Sequence, residues 1–103
     1  MECNLDLNGT VLIAHLDGEI DHHSAKSVRE KIDSEIEATM PKSLVIDFSD
    51  VSFMDSSGIG LIMGRYKLMK TFGGEVKILN PSPNTLRVLK LAGMDRLAKI
   101  DKE

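Results

Sequence analysis

Apolar residues recur along this chain with two different periods, and the changes of period mark its elements. Residues 4–7 alternate in part and lead into Asn8-Gly9, a dipeptide suited to the positive-φ positions of a tight hairpin turn. An apolar, partly β-branched run over 11–16 follows, so the two segments predict an antiparallel hairpin whose second strand stops at Gly18. From residue 24 to about 40 the period lengthens. Ala25, Val28, Ile32 and Ile36 fall at helical spacing with Lys, Arg and Glu between them, Ser24 serves as an N-cap and Pro41 closes the helix. Residues 44–48 are nearly continuous apolar sequence, interrupted by Asp47, as suits a central strand. A second helix is expected over 56–72, with Ile59, Ile62, Met63, Tyr66, Met69 and Phe72 as its buried stripe, Arg65 and Lys67 on its solvated face, and Gly73-Gly74 as its stop. A short strand at 76–79, a third helix opened by Ser82-Pro83 and ended by Gly93, and an edge strand at 97–100 complete the series.

The order is therefore ββαβαβαβ. A hairpin followed by β-α repeats implies an α/β fold: a mixed sheet of four or five strands with helices packed on it, and the strand at 44–48 near its middle. The whole chain, 1–103, reads as one domain.

Composition narrows the function. Apolar residues make up 42% and charged residues 28%, with both signs interspersed, as in a folded globular chain. The net charge is −3 and the basic residues form no run, which argues against a nucleic acid as partner, since phosphate binding needs a dense basic face. Aromatic residues are 4% with no Trp, too few for a base-stacking platform. Cys3 is the sole cysteine and has no internal partner. The polar, acidic start is unlike a signal peptide, and no stretch approaches a membrane span. A reducing, cytoplasmic setting is the expectation.

Candidate chemistry concentrates in Phe53-Met54-Asp55-Ser56-Ser57-Gly58-Ile59-Gly60, between a buried strand and a helix. Turns of this kind sit at the sheet's edge, where ligands and partners bind. Asp55 or Ser56 can accept hydrogen bonds from the free N–H groups of the first helical turn, and Gly58 and Gly60 let another surface approach the backbone. Three uses of the segment stay open. Capping is the commonest for such a sequence. A phosphorylated hydroxyl is the second, because the positive end of the helix dipole tolerates the new charge. A serine nucleophile is the third, but nothing in the spacing of His15, His22 and His23 sets a base beside Ser56, so no catalytic residue and no enzyme activity are expected. Residues 16–24 form a second strand-to-helix junction. There Asp21 or Ser24 suits a cap with partner contact as a further role. Metal ligation by the adjacent Asp21, His22 and His23 is disfavoured, and no metal or cofactor is expected.

These segments carry a resemblance. LDGEIDHHSA at 16–25, SFMDSSGIG at 52–60, GRYK at 64–67, GGEV at 73–76 and the Ser82-Pro83 helix start make the chain similar, over nearly its whole length, to the anti-anti-sigma proteins of the STAS domain family. Within that family it most resembles the antagonists of anti-sigma F factors from spore-forming bacteria. The resemblance implies the STAS fold, with helices mainly on one side of the sheet, and a partner-switching function. In that function the unphosphorylated antagonist binds an anti-sigma factor that is also a serine kinase, so that a sigma factor is freed for sporulation transcription. Phosphorylation ends the binding and a PPM-type phosphatase restores it. Ser56 takes the position of the phosphoacceptor, and Asp21, Ser57, Gly58 and Ile59 match residues at or near the partner-facing surface. A regulator or scaffold in a general stress-response circuit is the alternative within the family.

Overall fold

The structure, a computed structural model, describes residues 1–102. Its elements follow in the order β1 (Glu2–Asn8), β2 (Val11–Ile20), α1 (His22–Thr39), β3 (Ser43–Met54), α2 (Ser56–Lys70), β4 (Glu75–Leu79), α3 (Pro83–Leu91) and β5 (Lys99–Asp101), with a 3-10 turn at Met94–Arg96. The α/β order expected from the sequence is present, and the sheet has five strands.

Spatial order equals chain order, β1-β2-β3-β4-β5. The hairpin β1–β2 is antiparallel, and every later neighbour pair is parallel and bridged by a helix. Crossovers of one hand that always step in one direction leave their helices on one face. Burial agrees: the even-numbered residues Leu12, Ala14, Leu16 and Ile20 of β2, Leu44, Ile46 and Phe48 of β3, and Val76 and Ile78 of β4 are all buried. Val28, Ile32 and Ile36 of α1, Ile62 and Met69 of α2 and Leu89 of α3 close over them. The alternating residues face the other way. Among them Val45 is buried at 9% exposure yet stands outside the main core, and His15 donates or accepts across to Asp47 at 2.9 Å.

Three local expectations need correction. First, β2 does not stop at Gly18. The ladder with β3 shifts register on either side of that residue, Gly18 takes φ of +113°, and the strand runs on to bury Ile20 fully. At each shift it is β3 that carries one residue more than β2, so β3 bulges while β2 continues past Gly18. Second, α1 starts three residues earlier than a cap at Ser24 would place it. Asp21 is the N-cap, and Ser24 lies inside the first turn, completing a reciprocal capping box. Third, the buried stripe of α2 is Gly58, Leu61, Ile62, Arg65 and Met69, whereas Ile59, Met63, Tyr66 and Phe72 pack only partly against the core.

The third correction reverses the expected environment of Arg65, which is 5% exposed rather than solvated; Lys67 is exposed as expected. The Arg65 Nε lies 2.6 Å from Asp33 Oδ1 on α1. Neither buried atom has a well-angled hydrogen bond, so the contact acts as an ion pair between the two helices. Burial pushes the Asp33 carboxyl up and Arg65 and Arg29 pull it back. Burial likewise lowers Arg65, against the opposing pull of Asp33.

Candidate functional site

Parallel pairing of β2 with β3 brings two strand-to-helix junctions side by side. Ile20 pairs with Met54, and the Asp55 N–H donates to the Ile20 carbonyl at 3.1 Å. The first turns of α1 and α2 therefore rise from one edge of the sheet. Asp21 and the segment from Ser56 to Ile59, thirty-odd residues apart in sequence, end up on that edge together.

Each junction is built by its own cap. In the first, Asp21 Oδ1 accepts the Ser24 N–H at 2.8 Å, and the Ser24 hydroxyl oxygen accepts the Asp21 N–H at 3.0 Å. The same hydroxyl donates to the Glu19 carbonyl at 3.0 Å, tying α1 back to the end of β2. Hydrogen bonding from Ser24 holds the Asp21 carboxyl below the usual carboxylate range. In the second, Asp55 is the N-cap: its Oδ1 accepts the Ser57 N–H at 2.8 Å, and its carbonyl accepts the Gly58 N–H at 3.0 Å. Of the two residues able to cap α2, Asp55 performs the task. Ser56 is the first helical residue, is exposed, and has no hydrogen-bond partner for its hydroxyl among the described residues.

The neighbours of Ser56 divide by direction. Ser57 and Ile59 are partly exposed. Gly58 is buried and turned inward: a β-carbon there would lie 2.3 Å from both Cγ and Sδ of Met54, so the missing side chain admits the sheet, and any outside contact at Gly58 is made by backbone. Gly60 is exposed, with nothing within 4 Å of its would-be β-carbon, and it borders a groove of about 480 Å³ between α1 and α2. Phe53 stands on the opposite side of β3 from Met54 and remains 53% exposed. The alternation of a buried Met54 with Phe53 could have signalled this, but a strand that long was not expected.

Among the described residues, no three His, Cys, Asp or Glu side chains converge as metal ligands would. No helix is long and apolar enough to cross a membrane. His15 contacts Asp47 on the open face of the sheet, while His22 and His23 border the groove beside Ser57, and neither interacts with Ser56.

Comparison with known proteins agrees with this layout. An anti-sigma F factor antagonist from Paenibacillus polymyxa is 35% identical over 97% of the chain and 86% of its own length. An anti-sigma-B factor antagonist from Bacillus subtilis is 34% identical over 97% of the chain and 92% of its own. The Bacillus anti-sigma factor antagonist SpoIIAA, 31% identical, superposes in its unphosphorylated form with a TM-score of 0.85 over 96% of the chain and 87% of its own. Its phosphorylated form gives 0.77 over 96% and 90%. The model of the STAS domain matches residues 2–103, and with five strands in chain order, helices stacked on one face and these two capped junctions, the chain belongs to the STAS domain family.

Proposed function

We propose that this protein is an anti-sigma factor antagonist whose unphosphorylated Ser56 edge docks on an anti-sigma factor with serine kinase activity, and that phosphorylation of Ser56 ends the docking. The observation that carries the reading is the division between Asp55, which caps α2, and Ser56, an exposed hydroxyl that no part of the fold uses. Transfer of the γ-phosphoryl group of ATP forms a bond from phosphorus to Ser56 Oγ and breaks its bond to the bridging oxygen, which leaves with ADP. The hydroxyl proton passes to a base on the kinase, since the cap already engages Asp55. The product carries about −1.5 to −2 charges. At the first turn of α2 the helix dipole stabilises that charge by roughly 0.3–1 kcal/mol, so the fold survives modification. A protein packed on the edge formed by Asp21, Ser56, Ser57 and Ile59 meets a hydrated dianion and dissociates. A PPM-type phosphatase, using its own metal ions, returns the hydroxyl.

Support comes from the relatives: two are named as anti-sigma factor antagonists, and SpoIIAA is known in both unphosphorylated and phosphorylated forms. The test is incubation with the cognate anti-sigma factor and ATP followed by mass spectrometry. Phosphate is expected on Ser56, absent in Ser56→Ala, and Ser56→Asp should bind the anti-sigma factor weakly. Modification confined to Ser57 or to a threonine would refute the assignment. The 34% identity to the sigma-B antagonist favours a second reading of the circuit, general stress response in place of sporulation. The genes flanking this one distinguish the two by the sigma factor they encode.

A further inference from the structure

The edge that carries Ser56 also carries a charge that its cap and its serine do not explain. The groove of about 480 Å³ between the first turns of α1 and α2 is lined by His22, His23, Lys26, Arg29, Ser57 and Gly60, and no carboxylate lines it. The carboxylates nearest to these two cations in sequence, Glu30 and Asp33, lie outside the groove's lining, and Asp33 is paired with Arg65; Asp21 and Asp55 are engaged in caps. Lys26 and Arg29 are exposed, three residues apart on α1, and so project from one side of the helix. Gly60 and the buried Leu61 form the opposite wall, where the lack of a side chain at Gly60 keeps the groove open. The positive ends of both helix dipoles add to the same field. On a chain of net charge −3, this is a local basic patch at the edge of the docking face.

We infer that this groove receives an acidic segment of the same protein partner that contacts Ser56, held chiefly by Lys26 and Arg29. The inference rests on the reading of Ser56 as the docking edge. Charge complementarity selects the occupant: a flexible acidic segment neutralises two cations that have no carboxylate facing them from within the groove, and an exposed pair of this kind raises association rate and salt sensitivity more than it slows dissociation. The arrangement also sharpens the switch. Ser57 lines the groove and Ser56 precedes it, so a dianion on Ser56 cancels the field that attracts the acidic segment while it repels the docked surface.

The experiment measures affinity of the unphosphorylated protein for the purified cognate anti-sigma factor by calorimetry at two salt concentrations. The double reversal Lys26→Glu/Arg29→Glu is expected to bind about tenfold more weakly at low salt, with the deficit shrinking as salt rises. Lys26→Gln/Arg29→Gln, a milder change that keeps the fold in case the reversal perturbs it, should bind about threefold more weakly. Lys42→Glu/Lys90→Glu makes the same change in net charge at exposed positions away from the groove and should stay within about twofold of the parent. If the groove variants match that control while the parent binds, the acidic-segment inference falls and the functional reading stands. If the parent neither binds the anti-sigma factor nor accepts phosphate on Ser56, both fall.

Discussion

Gly58 and Gly60 lie two residues apart in α2 and pose opposite problems, so replacing each by alanine should move stability in opposite directions. A methyl group on Gly58 would come to 2.3 Å from Cγ and Sδ of Met54. Comfortable carbon contacts lie near 3.5 Å, so Met54 has to retreat by about 1 Å. Its Cγ is one bond from the β-carbon and moves only if χ1 turns, and the side chain is 6% exposed with core on its other sides. Overpacking of this kind costs about 1–3 kcal/mol. Alanine's better helix propensity returns at most about 1 kcal/mol, and less in a first turn. The net loss is about 1–2 kcal/mol, or a fall in Tm of roughly 5–15 °C for a domain of this length. At Gly60 the same methyl meets nothing within 4 Å and the backbone is ordinary helix, so Gly60→Ala should gain about 0.5–1 kcal/mol and raise Tm by a few degrees.

Thermal unfolding followed by circular dichroism measures both. A third variant isolates the contact: Met54→Ala removes a buried side chain at a cost of about 2–5 kcal/mol in the parent. It should cost less in the Gly58→Ala background, where the new methyl occupies part of the space, giving a coupling of about 1–2 kcal/mol. Gly58→Ala melting at or above the parent, or strict additivity with Met54→Ala, would refute the claim that the close approach of α2 to Met54 is what demands glycine.

The remaining predictions concern the polar groups. Asp55→Ala should lower stability by about 1 kcal/mol through loss of the α2 cap, whereas Ser56→Ala should stay within about 0.5 kcal/mol; urea titration of the two side by side checks that folding depends on one residue and not the other. Arg65→Met leaves the Asp33 carboxylate facing the core without its cation and should cost about 2–3 kcal/mol, below the range for a fully buried pair because Asp33 keeps 27% of its side chain in water. Adding Asp33→Leu to that variant should recover most of the loss in a calorimetric melt. Asp47 titrates below the usual carboxylate range: burial opposes this, but Ser49, through its hydroxyl and N–H, and His15 outweigh it. The sign follows from that direction. A lowered carboxyl binds fewer protons folded than unfolded, so its stabilisation is complete above the ordinary aspartate value and is lost as pH falls through the lower folded one. Asp47→Asn should therefore flatten the acid limb of stability below about pH 4, as measured by urea midpoints across that range.

The strands and helices were legible because each announces itself by period and by its stops. Asn8-Gly9, Pro41, Ser82-Pro83 and Gly93 all act at the turns and caps where the sequence puts them. What misled was local. Gly18 punctuates strongly in sequence, yet β2 continues past it while β3 bulges, because pairing with β3 and burial of Ile20 outweigh the break. From residue 58 to 69 every α2 position except Arg65 and Lys67 is apolar or glycine, so two overlapping stripes fit the helical period equally well. The choice between them is made in three dimensions, where Gly58 fits over Met54 and rotates Arg65 toward Asp33. The Ser56 junction was readable as a cap or as a switch. That Asp55 holds the cap and leaves Ser56 exposed needed the hydrogen bond from Ser57 to Asp55, which no pattern of residue types contains. The basic groove was invisible for another reason: Lys26 and Arg29 look like the solvated face of an amphipathic helix until the neighbouring α2 supplies Gly60 and Ser57 as the other wall.

Under the proposed function Ser56 is charged and discharged repeatedly and so must not also hold the fold together, and the α2 junction keeps the two duties apart. Asp55 satisfies the helix N-terminus, Gly58 and Met54 fix the height of the helix over the sheet, and the Asp33–Arg65 pair ties it sideways to α1. With those constraints met by other residues, Ser56 contributes a hydroxyl and little stability, so a phosphate there changes what the edge repels or attracts without a matching change in folding free energy. On the proposed reading, the same separation gives a reason for an anion on the first residue of a helix. One position earlier it would replace the cap, and a turn later it would lose the dipole and meet buried side chains, since Leu61 and Ile62 lie there. Because the sheet edge holds Asp21, Ser56 and the basic groove in fixed relation, a local charge would act on the whole of the proposed docking surface with no conformational change in the domain.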